Sequence, residues 1–168
     1  MQLHHITPNL SLCPLSLDDA DFIKTLVNTE NWIKFIGQRN INSISDSEVY
    51  IKKILNNKTI QYWVVKLLDE GQAIGIITLI KREYLEFHDL GFAFLPYYSG
   101  KGYGFEASTC VLNDLLNNTK HRTILATTLK ENISSIKLLQ KLGFKYTQEI
   151  QNENDFLQVY SISTNNIK

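Results

Sequence analysis

Residues 99–107 read Ser99-Gly100-Lys101-Gly102-Tyr103-Gly104-Phe105-Glu106-Ala107. Glycines at alternate positions let the backbone approach a ligand with no side chain in the way. An apolar run at 90–95 precedes this loop and reads as a buried strand, and 105–116 behind it reads as a helix. A helix start offers unpaired N–H groups and the positive end of its dipole. Strand, loop and helix together predict a cradle for an anion of the phosphate or pyrophosphate kind. Two familiar phosphate loops do not fit. A nucleotide-triphosphatase loop needs Gly-Lys followed by Ser or Thr, and here Gly102 follows Lys101. The dinucleotide fingerprint needs Gly-x-Gly-x-x-Gly, and this chain has Gly-x-Gly-x-Gly. The plain alternative is a glycine-rich turn with no ligand.

A second motif, Asn132-Ile133-Ser134-Ser135, opens another helix at another strand end, and Gly143 within Leu142-Gly143-Phe144 reads as that helix's stop. The two motifs, in this order and spacing, resemble the GNAT superfamily of acetyl-CoA-dependent N-acetyltransferases. Its pyrophosphate loop reads Gln/Arg-x-x-Gly-x-Gly/Ala, and its later helix reads Asn-x-x-Ala/Ser and then Leu-Gly-Phe. The closer likeness is to the branch with the ribosomal-protein-alanine/serine N-terminal acetyltransferases. That branch favours Gly-Lys-Gly-Tyr-Ala-x-Glu-Ala and then Asn-x-x-Ser. The likeness in element order spans about residues 10–162, while the motif residues lie in the second half.

The resemblance implies an α/β fold with a mixed, mainly antiparallel sheet, two splayed parallel central strands and about four helices. It implies acetyl-CoA as co-substrate and an amine-bearing acceptor, either a protein N-terminus or a small molecule such as a polyamine, amino acid or aminoglycoside. On the cofactor side it implies that the backbone at Phe92 and Phe94, running into Leu95, pairs with the pantetheine arm. Ser99, Gly100, Lys101, Gly102, Tyr103 and Gly104 then surround the pyrophosphate, with Lys101 a solvated charge, and Asn132 contributes from the second motif.

Direct transfer needs a neutral amine, donors for the developing oxyanion, and a proton or donor for the leaving thiolate. By the resemblance, Asp89, two residues before Gly91, is the candidate base, with Glu86 in reserve or water in its place. Simple alternation puts Asp89, Gly91 and Ala93 on one strand face, with room for substrate, and Glu86 and His88 on the other. The alternative for Asp89 is a strand-end carboxylate paired with a nearby Lys or Arg. Many superfamily members carry a tyrosine acid about seven residues after the Asn, where this chain has Leu139. Ser135 stands where the nearer branch is thought to use a serine hydroxyl. The alternatives are a first-turn serine for Ser135 and a plain N-cap for Asn132. Ser99 replaces the usual Gln or Arg, and Cys13-Pro14 replaces an Arg-Pro of the first strand. A catalytically silent acyl-CoA-binding module and a tRNA-directed acetyltransferase toxin are the rival readings.

The rest of the chain must position these groups. At 168 residues it suits one domain, 1–168, with its core at about 10–162. Seventeen basic residues balance 17 acidic ones, which argues against general nucleic-acid or membrane-surface binding and against the tRNA reading. No stretch reads as a membrane span, and residues 1–10 lack the pattern of a secretory signal, so a cytoplasmic monomer or homodimer is expected. The two cysteines and four histidines show no metal spacing, and Cys110 falls among core positions as a small buried hydrophobe.

Strands are predicted at 11–15, 61–68, 73–80, 86–95, 123–129, 145–149 and 156–162. Residues 69–72 form the turn between the second and third. Ser16 with Asp19, and Ser45 with Glu48, read as capping boxes of two helices bearing Phe22, Ile23, Leu26 and Val27, then Val49, Tyr50, Ile54 and Leu55. Residues 28–44, with Trp32, Phe35, Gly37 and Arg39, carry no regular pattern, and 165–168 read as frayed.

Overall fold

Strands β3 (Ile60–Leu67) and β4 (Ala73–Ile80) form a hairpin at the middle of the sheet. Gly71, at φ +69°, makes its turn possible, and Leu67 N–H donates to the Gln72 carbonyl. β4 reads AIGIITLI with no polar alternation, because helices cover both of its faces. The computed structural model describes residues 4–118 and 121–164, so the expectation for 165–168 lies outside the described residues.

Further strands are β1 (His5–Ile6), β2 (Leu10–Pro14), β5 (Asp89–Phe94), β6 (Thr123–Leu129), β7 (Lys145–Asn152) and β8 (Asp155–Ser163). They join one eight-stranded sheet in the order β1-β2-β3-β4-β5-β6-β8-β7. Every neighbouring pair is antiparallel except β5 with β6. The helices are α1 (Ala20–Val27), α2 (Glu30–Phe35), α3 (Ile44–Leu55), α4 (Tyr103–Asn118) and α5 (Ile133–Leu142). This is the expected single α/β fold with a mixed, mainly antiparallel sheet.

The sheet has two filled faces. α4 and α5 cover one, through Ala107, Val111, Leu112, Leu115 and Leu139 against Ile77, Leu90 and Ile124. α1, α2 and α3 cover the other, through Ile23, Leu26, Trp32 and Ile51 against Tyr62, Val64 and Ile76. Each large apolar side chain so buried contributes about 1.5–3 kcal/mol. The strand residues divide accordingly: Leu90, Phe92 and Phe94 face α4 and α5, and Ala93 faces α1–α3.

Local signals set the helix ends. Ser16 and Asp19 form the expected capping box, with Ser16 N–H donating to Asp19 Oδ2 at 2.9 Å. The second box is Ser43 with Asp46, not Ser45 with Glu48. Asp46 N–H donates to Ser43 Oγ at 3.0 Å, and Ser43 N–H to Asp46 Oδ2 at 3.1 Å. The overlapping sequence permits both boxes. In the helix so started, the buried Ser47 hydroxyl donates to the Ala20 carbonyl at 2.6 Å and ties α3 to α1. α2 is a six-residue helix within the stretch expected to be irregular, capped where Thr29 Oγ1 accepts from Trp32 N–H. β5 begins only at Asp89, so Glu86 and His88 lie in the preceding loop and strand alternation does not reach them.

Candidate active site

The parallel pairing of β5 with β6 consists of one register position, Asp89 opposite Leu125. Leu125 N–H donates to the His88 carbonyl at 2.9 Å, and beyond that the two strands part. On the other side of β5, Leu95 N–H donates to the Ile74 carbonyl at 2.9 Å. Odd-numbered β5 residues therefore turn their backbone groups toward β4, and Leu90, Phe92 and Phe94 turn theirs toward β6. Where the strands splay, β5 presents the row of donors and acceptors that an extended ligand arm would need.

The glycine loop lies at the carboxyl end of β5. A short 3-10 turn, Pro96–Tyr98, connects it to the strand, and α4 starts at Tyr103. Gly100 and Gly102 take φ +74° and +88°, the left-handed conformation that other residues rarely adopt. A Cβ at either would meet nothing within 4 Å, so the loop surface is open to the outside. Gly104 differs: a Cβ there would lie 3.1 Å from Leu138 Cδ2, so its role is close packing of α4 on α5. Glu106 N–H takes the Gly102 carbonyl, and among the described residues no carbonyl takes the N–H groups from Gly100 to Phe105. Those N–H groups, at the start of a 16-residue helix, fit a diphosphate. Lys101 lies over the Tyr97 ring, 3.9 Å from its centroid, at the exposed edge of the loop.

Asp89 stands at the apex of the splay and is 4% exposed. Its Oδ1 accepts Thr127 N–H at 3.1 Å, and its Oδ2 accepts Arg82 Nε–H at 2.6 Å and Thr127 Oγ1–H at 3.2 Å. Burial pushes this carboxyl up from its ordinary range, while the Arg82 guanidinium and the two Thr127 donors work against that. Thr127 N–H is the donor that a continued ladder would send to the Leu90 carbonyl. Left without an acceptor there, it would cost about 1–3 kcal/mol. The space expected over Gly91 belongs to Thr78, whose Oγ1 would lie 2.6 Å from a Cβ at Gly91. Glu86 is exposed in the loop before β5.

At the second strand end, Asn132 caps α5 by accepting Ser135 N–H on its Oδ1 at 3.3 Å. The Ser135 hydroxyl is half-buried and has no protein partner among the described residues. Leu139 is 1% exposed within the core, which explains why no polar group stands there. The Ser99 hydroxyl turns back to the Leu95 carbonyl at 3.5 Å. Cys110 is half-buried rather than fully buried; burial, then Asp114 and Glu106, push its thiol up, away from nucleophilic use. His88 and His121 meet edge to face at 4.6 Å.

Among the described residues no cluster of three or more His, Cys, Asp or Glu could hold a metal ion. No helix among them is long and apolar enough to cross a membrane.

Sequence reading offered a nearby Lys or Arg as the alternative partner of Asp89 without identifying Arg82, quoted Glu106 in the first motif without a role, and missed Thr127. Arg82 lies in an irregular loop and Thr127 in a strand of ordinary β-formers, so neither carried a signal. Glu106 did carry one, an acidic residue in the first turn of a helix. Its carboxylate accepts from Thr7 Oγ1 (2.5 Å), Asn9 N–H (2.9 Å) and Asn9 Nδ2 (2.9 Å), tying the start of α4 to the loop between β1 and β2.

Residues 9–145 match the acetyltransferase (GNAT) domain family. The chain is 25% identical over 143 residues to the uncharacterized N-acetyltransferase YnaD of Bacillus subtilis (strain 168), covering 85% of this chain and 83% of YnaD. It shares its fold with the ribosomal-protein-S5-alanine acetyltransferase from Vibrio fischeri, at TM-score 0.81 and 17% identity over 99% of this chain and 100% of that one. It also shares it with the spermidine N-acetyltransferase from Vibrio cholerae, solved with CoA and spermine, at TM-score 0.80 and 19% identity over 95% and 98% of the two chains.

Proposed function

The chain belongs to the acetyltransferase (GNAT) domain family and is an acetyl-CoA-dependent N-acetyltransferase, and from that premise we propose that its acceptor is the α-amine at the N-terminus of a protein. The observation that carries this reading is the state of Asp89. The carboxylate at the apex of the splay already serves three donors. An α-amine, with a pKa near 8, is neutral in about one molecule in ten at pH 7, whereas an amine near 10.4 is neutral in roughly one in a few thousand. An acceptor that sheds its proton to water suits a site whose nearest carboxylate is occupied. The shared fold with the ribosomal-protein-S5-alanine acetyltransferase is in keeping with this acceptor class.

Acetyl-CoA supplies the acetyl group as a thioester. The backbone of Phe92 and Phe94 pairs with its extended arm, and the N–H groups of Gly100–Gly104 hold its diphosphate. Tyr103 and Leu95 flank the arm, and Lys101 adds charge near the phosphates. The acceptor nitrogen bonds to the acetyl carbon as the carbon–sulfur bond breaks. The amine's proton goes to water, and the Ser135 hydroxyl donates a hydrogen bond to the departing thiolate. Asn132 fixes the first turn of α5 so that Ser135 is presented.

The test is thiol release from acetyl-CoA with free and Nα-blocked peptides, spermidine, amino acids and aminoglycosides. Turnover is expected with the free peptide and lost when its α-amine is blocked, even with lysines retained. Faster turnover of spermidine would move the acceptor class to polyamines. CoA binding with no thiol release for any amine would make the chain a silent acyl-CoA-binding module.

A further inference from the structure

Asp89 does more in this geometry than a proton acceptor would. It lies at the one position where β5 and β6 pair, and the strands part immediately after it. Its side chain takes the Thr127 N–H that the next ladder step would have given to a backbone carbonyl. The Thr127 hydroxyl and Arg82 Nε close on its other oxygen at 3.2 and 2.6 Å. A side chain therefore replaces a backbone bond where the sheet opens, holding Thr127 at side-chain distance from β5. Arg82, in the loop between β4 and β5, clamps the carboxylate from outside, and its own side chain is 36% exposed. Among the described residues Asp89 is the only hydrogen-bonding partner of the Arg82 side chain, while the Arg82 carbonyl accepts from the Lys81 ammonium and from Leu85 N–H.

We propose that Asp89 is a positioning residue, a strut that with Thr127 and Arg82 ends the parallel ladder and sets the width of the slot between β5 and β6. This rests on the reading that the slot receives the acetyl-CoA arm. The strut acts on the cofactor side of the reaction, through the backbone edge at Phe92 and Phe94, and takes no proton from the acceptor.

Three substitutions separate a strut from a base. Asp89→Asn keeps an acceptor for Thr127 N–H and loses the basic oxygen, and the half-exposed Arg82 can turn to water. Its acetyl-CoA affinity should stay within about threefold of wild type, and its pH profile of kcat, whatever its height, should keep the wild-type midpoint and acidic limb. Asp89→Ala removes the strut, so acetyl-CoA affinity should fall by about tenfold or more while the pH profile keeps its midpoint. Asp89→Glu keeps a carboxylate but lengthens the arm by one methylene. It should weaken acetyl-CoA binding about threefold or more, and it decides the matter if the alanine variant does not fold.

Calorimetry with acetyl-CoA and pH–rate profiles read all three. Loss of the acidic limb in Asp89→Asn, or full activity in Asp89→Glu, would overturn the strut in favour of a base. Wild-type binding that is unchanged in Asp89→Ala would overturn the strut alone. No binding by the wild-type chain would overturn the slot reading and the strut with it.

Discussion

The Ser135 hydroxyl has no protein partner among the described residues, and its own N–H is already satisfied by Asn132. It is therefore free to serve a ligand from the first turn of α5. A positioned acid typically contributes ~10²–10⁴-fold, and a serine hydroxyl is a weak acid near neutrality. Ser135→Ala is expected to lower kcat by roughly ten- to a hundred-fold with acetyl-CoA affinity nearly unchanged. Steady-state kinetics paired with a binding titration would read this, and turnover at the wild-type rate would reduce Ser135 to a helix-start residue. Placing a tyrosine at position 139 cannot substitute for it, because Leu139 is sealed in the core and the ring would overpack it. At this scale the sequence was partly legible. The glycines and the Asn132 cap could be read because each reports a local backbone requirement. The partners of Asp89 could not, because Arg82 comes from a loop with no periodicity and Thr127 from a strand 38 residues away.

Among the elements, β4 and β5 are fitted closely. A Cβ at Gly75 would stand 2.4 Å from Phe94 Cδ1 and 2.7 Å from the Ala93 carbonyl oxygen. A backbone atom cannot swing aside as a side chain can, so Gly75→Ala must push β5 away from β4. The expected cost is about 1–3 kcal/mol, a fall in Tm of a few degrees. Because Phe94 belongs to the edge that faces β6, acetyl-CoA affinity should fall as well. Unchanged melting and unchanged binding would mean that β5 tolerates the shift and that its edge does not serve the arm. β4, β6 and the start of α5 were read from the sequence at their observed bounds, because turn residues and caps punctuate them. α2 was not, since six residues give too short a stretch for a helical period to show. The second capping box was misplaced because Ser43-Ile44-Ser45-Asp46 and Ser45-Asp46-Ser47-Glu48 satisfy the same rule. The structure uses the first, and the buried Ser47–Ala20 bond made between helices accompanies it.

Across the whole molecule, a segment near the start of the sequence meets the helix behind the phosphate cradle. Glu106 sits one turn behind the glycine loop and binds Thr7 and Asn9, 99 and 97 residues upstream. Partial burial pushes its carboxyl up, but the Thr7 hydroxyl, the Asn9 amide and the Asn9 N–H outweigh this and hold it below its ordinary value. A carboxylate held low in the folded state stabilises above its unfolded pKa, near 4.3, and that contribution is lost as pH falls through the lowered folded value. Wild type should therefore melt above Glu106→Gln at pH 7, and the gap should close as pH falls below about 4. A gap that stays constant with pH would show that shape rather than charge makes this tie. Such a contact was illegible in the sequence, because nothing local links residues 7–9 to 106.

The cradle itself bears most directly on what the chain does. Gly102 holds φ +88° with open space where a Cβ would go, so Gly102→Val strains the loop without striking a neighbour. The decisive measurement is calorimetric titration of acetyl-CoA into wild type and Gly102→Val, with melting curves of both. Wild type should bind and the variant should bind about tenfold or more weakly, with Tm within a few degrees of wild type. Equal affinity in the two proteins would contradict the placement of the diphosphate on this loop.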